Sequence, residues 1–189
     1  MKKNIFLIFS LFGILLLWGA ITYSKSLPFH STLGNYSFIG VNACRLCHKT
    51  VKQGNQYDIW RNSKHSKAFA TLLTDEAAKI ARDRGFKESA NEVVECLRCH
   101  ASGFEASDKK EQGFKIEDGV QCETCHGAGS DYKDLKIMKN RELAIKNGLV
   151  PLTDIEKFCR SCHNSASPTF KSFNFEEAFK SIEHKIPKN

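Results

Sequence analysis

The chain has 189 residues, of which 28 are lysine or arginine and 21 are aspartate or glutamate, and its formal net charge is +7. The length favours one domain and leaves little room for a second. Two of the positive charges, Lys2 and Lys3, lie at the start of a distinct N-terminal segment, and without these two the net charge is +5.

The N-terminal segment, residues 1–26, has the features of a targeting sequence. Lys2 and Lys3 precede a run of uncharged, mostly apolar residues at 5–23. This run is long for the apolar part of a signal peptide and short for a membrane span, so a cleaved signal peptide and an uncleaved anchor to the inner membrane both stay open. Either one places residues 27–189 outside the cytoplasm, and we expect a periplasmic domain.

The first half of this domain predicts short helices. A short extended piece is predicted at 36–41, and a helix at 56–73, on which His65 shares one face with apolar side chains. A histidine on that face is within reach of a bound metal. Thr74 is predicted to cap the next helix, which stops at Gly85.

The second half predicts three more helices between irregular segments. Residues 101–118 are charged and glycine-containing, which is typical of a loop or loose hairpin. A helix is predicted at 132–147, another opens with a capping box at Thr153, and Asn174 caps the last. The apolar face of the helix at 132–147 is predicted to consist of Leu135, Met138 and Ile145. Strand signals are weak throughout.

One pentapeptide pattern, Cys-x-x-Cys-His, occurs four times and uses all eight cysteines. It is the attachment signature of a c-type haem. Two thiols three positions apart lie on the same side of a helical turn, so both can form thioethers with the vinyl groups of one porphyrin. The histidine that follows can then bind the iron from one face. The four copies are Cys44, Cys47 and His48; Cys96, Cys99 and His100; Cys122, Cys125 and His126; and Cys159, Cys162 and His163.

Two other interpretations of the cysteines are a pair of zinc sites built from Cys-x-x-Cys knuckles and a disulfide framework. Neither requires a histidine directly after every second cysteine, so the sequence favours four covalently bound haem c groups. Export of the chain agrees with this prediction, because c-type haems are attached after translocation, in compartments that also favour disulfides.

Four haems also constrain the fold and the charge. Roughly 165 residues must surround them, which is too little protein for a conventional core plus four buried cofactors. We therefore expect a mainly α fold of short helices and long loops wrapped around four covalently bound c-type haems. Haem propionates would offset much of the positive charge, and so the basic composition does not indicate nucleic-acid binding.

The number of histidines limits how the irons are bound. Seven are present, and four of them close the motifs. Only His30, His65 and His184 remain for four distal positions, so at least one iron is bound by another residue or has an open position. An iron with two strong ligands carries electrons, whereas an open iron can also bind a small molecule.

The linked motifs resemble those of the tetrahaem cytochrome c-554 family over nearly all of the exported part. The residues that carry the resemblance are Trp60, His65, Lys67 and Ala68 after the first motif; Gly103 and Phe104 after the second; Gly119, Val120, Glu123, Gly127 and Gly129 around the third; and Ser167, Pro168 and His184 after the fourth. The resemblance implies that His65 is the distal ligand of the fourth haem, that His184 serves the third, and that the second has an open distal side.

The chain departs from this family at the first haem. The family's distal ligand there is a histidine shortly after the third motif, and this sequence has none between His126 and His163. Met138 and His30 are the candidates, and a thioether ligand would raise the potential of that haem. Each also has an ordinary interpretation, Met138 as a core methionine and His30 as a solvated histidine. Ligation by His184 requires the last helix to end before it.

The sequence thus favours an exported tetrahaem cytochrome that transfers electrons between redox partner proteins over an enzyme. The alternative is a haem enzyme in which an open iron, expected at His100, reduces nitric oxide, nitrite or hydroxylamine, with Arg98, Tyr132 or a lysine as proton donor. A gas or redox sensor is less favoured, because no output module is present. The oligomeric state stays open.

Five basic residues form either a docking surface for an acidic redox partner or an ordinary solvated face. They are Lys49, Lys52, Arg61, Lys64 and Lys67.

Overall fold

The computed structural model describes residues 35–105 and 107–185. The chain divides into two units, Met1–His30 and Ser31–Asn189. The first unit, which holds the predicted leader and His30, lies outside the described residues. Among the described residues, no helix is long and apolar enough to cross a membrane.

Short α-helices joined by loops make up most of the described chain, and the predicted fold class is confirmed. In chain order the helices are α1 Val41–His48, α2 Gln56–Asn62, α3 Ala68–Thr71, α4 Asp75–Asp83, α5 Val94–His100, α6 Cys122–His126, α7 Leu135–Met138, α8 Arg141–Lys146, α9 Ile155–Arg160 and α10 Phe175–Lys180. Single turns of 3₁₀ helix lie at Val51–Gln53, His65–Lys67 and Ile116–Asp118.

Two short strands pair with each other near the first described residues of the domain. Strand β1, Ser37–Phe38, falls within the predicted extended piece, and β2, Lys109–Lys110, lies in the segment predicted as a loop or hairpin. The two strands pair in parallel, and the N–H of Glu111 donates to the carbonyl of Phe38 at 2.8 Å. The loop at 101–118 therefore pairs with the start of the domain and does not fold back on itself as a hairpin.

The helix caps follow the sequence with one correction. Thr74 and Asn174 cap α4 and α10 as predicted, each accepting a hydrogen bond from the N–H three residues ahead. The predicted cap at Thr153 is wrong, because the carboxylate of Asp154 accepts from the N–H of Lys157 at 3.0 Å instead. A carboxylate is a strong acceptor, and its charge is favoured at the positive end of the helix dipole.

The helix predicted at 56–73 is broken at Ser63, whose backbone is extended. The Ser63 hydroxyl donates to the carbonyl of Trp60 at 2.7 Å and accepts from the N–H of His65 at 3.2 Å. A serine side chain that bonds the nearby backbone competes with the helical hydrogen bonds. His65 consequently begins a new turn, and its direction is not set by α2.

The helix predicted at 132–147 is also two helices. Asn140 ends the first part and caps α8, where its side-chain oxygen accepts from the N–H three residues ahead at 3.0 Å. This break changes the face that each helix buries. Leu135 and Ile145 are exposed, and Ala144 is fully buried, so the predicted apolar stripe is wrong.

A small apolar core lies among α3, α4 and α5. It consists of Phe69, Leu72, Ala81, Ala90, Leu97 and Ala101. Cys96 of the second motif packs against this cluster. Each fully buried Leu or Phe side chain contributes about 1.5–3 kcal/mol to folding, so this core fixes the second motif in place.

Candidate haem-binding sites

In three of the four motifs a helix ends on the histidine. These helices are α1, which ends at His48, α5, which ends at His100, and α6, which ends at His126. In each, the two cysteines lie three positions apart within the helix and on the same side of one turn. The fourth motif differs, because α9 ends at Arg160 and the last three motif residues follow it outside the helix.

The cysteines have the state that thioether attachment needs. All eight lie in the described residues, and none forms a disulfide. Among the described residues, no three His, Cys, Asp or Glu side chains converge as they would around a metal ion. A zinc site needs four such ligands, whereas a haem iron takes only two from the protein because the porphyrin supplies the others. The donor set fits haem.

The motifs lie in two contacting pairs. Helix α1 of the first motif contacts α6 of the third, and interaction between the thiols of Cys44 and Cys122 raises the pKa of Cys44 and lowers that of Cys122. The Cys162 thiol of the fourth motif donates to the carbonyl of Arg98 in the second at 4.0 Å, and its interaction with the Cys99 thiol raises the pKa of Cys99 and lowers that of Cys162. Burial raises the pKa of Cys125 to about 12. Sites separated by up to 78 positions in sequence are therefore side by side.

Two pairs of histidines face each other. The ring centres of His65 and His163 are 6.0 Å apart, and those of His126 and His184 are 5.9 Å apart. A metal–imidazole bond is about 2 Å long, so two imidazoles on opposite sides of one iron have ring centres roughly 6 Å apart. The arrangement is the one that the predicted ligation requires, and the distal roles of His65 and His184 stay predictions.

The electrostatics of these rings suit metal ligands, which must be neutral imidazoles. Burial lowers the pKa of His126 to about 4, with smaller contributions from the charges of His184 and His48. Burial also lowers the pKa of His65, and the charge of His163 adds to this. Both rings are therefore uncharged at neutral pH.

The chain holds His65 in position through the segment that leads into the third motif. The His65 carbonyl accepts from the N–H of Val120 at 3.0 Å, and the Trp60 indole N–H donates to the carbonyl of Val120 at 2.8 Å. Gly119 has φ +73°, and a Cβ there would lie 2.6 Å from the His65 carbonyl oxygen. Trp60, Gly119 and Val120, all of which carry the family resemblance, therefore act on one histidine.

His184 lies beyond the end of its helix. Because α10 ends at Lys180, the condition for ligation by His184 is met. Its Nδ1–H donates to the carbonyl of Ile182 at 3.0 Å. This bond leaves Nε2 with a free lone pair.

His48 and His100 have the orientation of a metal ligand but no second imidazole among the described residues. The Nδ1–H of His100 donates to the carbonyl of Ala68 at 2.8 Å, and that of His48 to Oε1 of Gln56 at 3.3 Å. Such bonds fix the tautomer and leave Nε2 for the iron. The remaining candidate, His30, lies outside the described residues.

Glu123, between the cysteines of the third motif, is a residue that the sequence reasoning missed. Its side chain is buried, with 3% exposed. Oε1 accepts from the N–H groups of Ile39 at 2.9 Å and Gly129 at 2.7 Å, and Oε2 accepts from that of Gly40 at 2.8 Å. Burial raises the pKa of Glu123, and these N–H donors oppose the rise. Glu123 thus ties the segment before the first motif to the third motif.

Tyr132 was a candidate proton donor and Met138 a candidate iron ligand, and the structure bears on them differently. Tyr132 is buried, and its hydroxyl donates to the carbonyl of Gly127 at 2.7 Å. Burial raises its pKa, and its charge neighbours are Glu123, Cys44 and Cys122 of the first and third motifs. Its surroundings are therefore not those of the second motif, for which it was a candidate proton donor. Met138 is half-buried at the end of α7, and its role as a ligand stays a prediction.

The fourth motif adjoins open space. A pocket of about 300 Å³ is lined by Cys162, His163, Ser167, Thr169, Phe170, Lys171 and Ser172. Phe173 stacks on the His163 ring with centres 4.5 Å apart and planes 7° apart. The Arg160 guanidinium lies 5.5 Å from the Phe173 ring centre. This stack fixes the plane of the His163 imidazole.

Comparison with known proteins gives one finding. Residues 43–127 match the family described as cytochrome c554 and c-prime. The match contains the first three motifs, and the fourth, at 159–163, lies beyond it. No curated protein and no solved structure matches the chain. The match over residues 43–127 supports the resemblance that the motifs indicate, namely to c-type cytochromes with covalently bound haem that take part in electron transfer.

Proposed function

We propose that the protein is an exported tetrahaem cytochrome that transfers electrons between redox partner proteins in the periplasm. It is either free after removal of residues 1–26 or anchored to the inner membrane through residues 5–23. The observation that carries the proposal is the pairing of the four motifs. Helix α1 of the first motif contacts α6 of the third, and the Cys162 thiol of the fourth motif lies 4.0 Å from the carbonyl oxygen of Arg98 in the second.

Each motif supplies the same set of groups. Its two cysteines hold one haem by thioethers, and its histidine is the proximal ligand. Bound haem supplies one-electron chemistry, whose potential depends on the axial ligand, on hydrogen bonds to that ligand and on burial. No proton-transfer residue is needed for this role.

The distal ligands are part of the proposal. The ring spacings of 6.0 Å and 5.9 Å support His65 as the distal ligand at the fourth motif and His184 at the third. The hydrogen bonds of the His65 carbonyl and the His184 imidazole hold both residues where they are needed. His30 and Met138 remain candidates for the first motif.

Haem stoichiometry tests the number four. The purified full-length protein is expected to contain four haems per chain by pyridine haemochrome assay and intact mass. Cys159→Ser combined with Cys162→Ser should leave three, because the fourth motif is then removed and the other three are intact. Two or fewer haems in the unaltered protein would overturn the tetrahaem assignment.

Axial ligation and export are tested separately. His65→Ala should convert one low-spin ferric signal to high spin in electron paramagnetic resonance spectra, while Ser66→Ala leaves all signals unchanged. An unchanged spectrum for His65→Ala would remove His65 from the ligands.

Cell fractionation with and without residues 1–26 should show haem-loaded protein in the periplasm or inner membrane only when the segment is present.

A second function is favoured by one observation. Among the described residues, the rings of His126 and His163 each lie about 6 Å from a second imidazole, and those of His48 and His100 are in no such pair. The enzyme alternative is reduction of nitric oxide, nitrite or hydroxylamine at His100. A high-spin ferric signal that is replaced by a nitrosyl species after reduction and addition of nitric oxide would support it. A wholly low-spin spectrum that the gas leaves unchanged would exclude it.

A further inference from the structure

The two middle residues of each Cys-x-x-Cys-His motif face away from the side that binds the cofactor, because they are offset by one and two positions from the first cysteine along the helix. In the second and third motifs the first of these two residues is buried, since Leu97 is 7% exposed and Glu123 3%, whereas its equivalent in the first motif, Arg45, is exposed. In the first motif Leu46 is 78% exposed.

Basic and aromatic side chains surround this uncovered face. The guanidinium groups of Arg45 and Arg61 lie 5.5 Å and 5.9 Å from the ring centre of Tyr57, one from α1 and the other from α2. The turn between these helices exposes Val51 at 84%, the largest value for a bulky apolar residue in the described chain. Its lysines are exposed as well. We call this surface the first-motif patch, and it consists of Arg45, Leu46, Lys49, Val51, Lys52, Tyr57 and Arg61.

The charge of the chain is concentrated in the same place. Residues 45–67 contain six lysine or arginine residues and one acidic residue, Asp58, a net charge of +5. Asp58 is paired with Arg61 at 3.3 Å, so it offsets only one of the six. Residues 68–118 contain eight basic and eleven acidic residues, a net charge of −3. The positively charged segment around the first motif is therefore followed in the sequence by a segment with a net negative charge.

We propose that the first-motif patch is the docking surface for an acidic electron-transfer protein, an inference that rests on the proposed electron-transfer function. An exposed apolar centre inside a charged rim is the usual anatomy of a protein interface. Carboxylates of the partner would face the arginines and lysines, which speeds encounter and orients the two proteins. The step is a one-electron transfer in which one protein is oxidised and the other reduced, and no bond forms or breaks.

Binding of a defined acidic carrier tests the proposal. The probe is oxidised plant-type [2Fe–2S] ferredoxin, titrated calorimetrically into the full-length haem-loaded protein at about 20 mM and about 200 mM salt. We expect binding to weaken about tenfold at the higher salt. Lys49→Glu with Lys52→Glu should weaken binding at least about tenfold at low salt, because two attractive contacts become repulsive. A basic mitochondrial-type cytochrome c should bind this variant more tightly than the unaltered protein.

A matched control separates the patch from the overall charge. Arg82→Glu with Lys87→Glu changes the net charge equally on exposed positions of the acidic stretch, and should change ferredoxin binding by less than about twofold. Equal losses in both double variants, or no loss in K49E/K52E, would overturn the proposal. Haem content and circular dichroism confirm that each variant is folded.

Failure of the patch and failure of the proposed function give different results. If dithionite does not reduce the haems of the unaltered protein, the electron-transfer function fails, whatever the binding data are. If dithionite reduces the unaltered protein and K49E/K52E equally, and ferredoxin binds both equally, only the docking surface is wrong. Leu46→Ser with Val51→Ser, which leaves every charge in place, should weaken binding at both salt concentrations by a similar factor.

Discussion

The first and third motifs have the same attachment pattern and opposite surroundings. In the third, Glu123 is buried and joins three backbone N–H groups from two segments. In the first, the outer face of α1 carries Arg45 and Leu46 into solvent. The cysteines and histidine of a motif specify its cofactor, while the two residues between the cysteines decide whether its helix packs against protein or faces a partner.

The contrast has an energetic side. A hydrogen bond to a charged group contributes about 1.5–3 kcal/mol, so the three N–H groups on Glu123 are a substantial part of a typical folding free energy. No comparable contact involves the exposed Leu46, because an apolar side chain in water adds little to stability. The third motif therefore serves as structural support, and the first is available for contact with other proteins.

The largest effect is expected for Glu123→Ala. It should lower the free energy of unfolding by about 4 kcal/mol, because the N–H groups of Ile39, Gly40 and Gly129 lose their acceptor while buried. Arg45→Ala, at the equivalent position of the first motif, should cost less than about 0.5 kcal/mol. Guanidinium unfolding of the haem-loaded variants measures both. A loss below about 1 kcal/mol for Glu123→Ala would mean that the carboxylate is not a structural tie.

The second comparison uses leucines inside two motifs. Leu97→Ala should destabilise the protein by about 2–4 kcal/mol, because it opens a cavity in the core among α3, α4 and α5. Leu46→Ala should change stability by less than about 0.5 kcal/mol, since Leu46 is exposed. Similar losses for the two variants would show that the face of α1 around Leu46 is buried. Thermal unfolding followed by circular dichroism is sufficient.

A third prediction concerns the segment that enters the third motif. Gly119→Ala should cost about 2–3 kcal/mol, because the residue has positive φ and the new Cβ would collide with the His65 carbonyl. Gly85→Ala, at φ +84° with nothing within 4 Å of a Cβ, should cost only about 1 kcal/mol for its backbone conformation. Only Gly119→Ala should also change the electron paramagnetic resonance spectrum. Equal losses of stability for the two variants would show that the backbone around His65 can shift to accommodate the new Cβ atom.

The smallest effect is expected at the first motif. Gln56→Leu removes the acceptor for the Nδ1–H of His48, which makes that imidazole less basic. One haem potential should rise slightly while the others stay constant, and stability should change by less than about 1 kcal/mol. Gln53→Ala, on the exposed turn nearby, is the control. A redox titration that shows no shift for Gln56→Leu would mean that this hydrogen bond does not tune the ligand.

Part of the fold followed from the sequence, and the misses have local causes. The caps at Thr74 and Asn174 were predictable, because capping depends on a few adjacent residues. The breaks at Ser63 and Asn140 were not, since side chains there bond to the backbone in competition with helices that the apolar periodicity alone favours. The periodicity also assigned Leu135 and Ile145 to a buried face that the break at Asn140 removes.

The sequence by itself determined the chemistry of this protein. Cysteine spacing and the histidine after each pair are local properties of the chain, and so the haem attachment pattern could be identified without a fold. The resemblance of the linked motifs likewise anticipated the family match over residues 43–127.

Tertiary structure alone decided which motifs are neighbours, which histidines face each other and which motif is exposed. The contact between α1 and α6 and the close spacing of the His65 and His163 rings join distant parts of the chain. The Glu123 carboxylate likewise accepts hydrogen bonds from Ile39 and Gly40, which lie more than 80 positions earlier in the sequence. Such contacts depend on how the whole chain closes, because no local pattern encodes which distant segment will fill the space beside a residue.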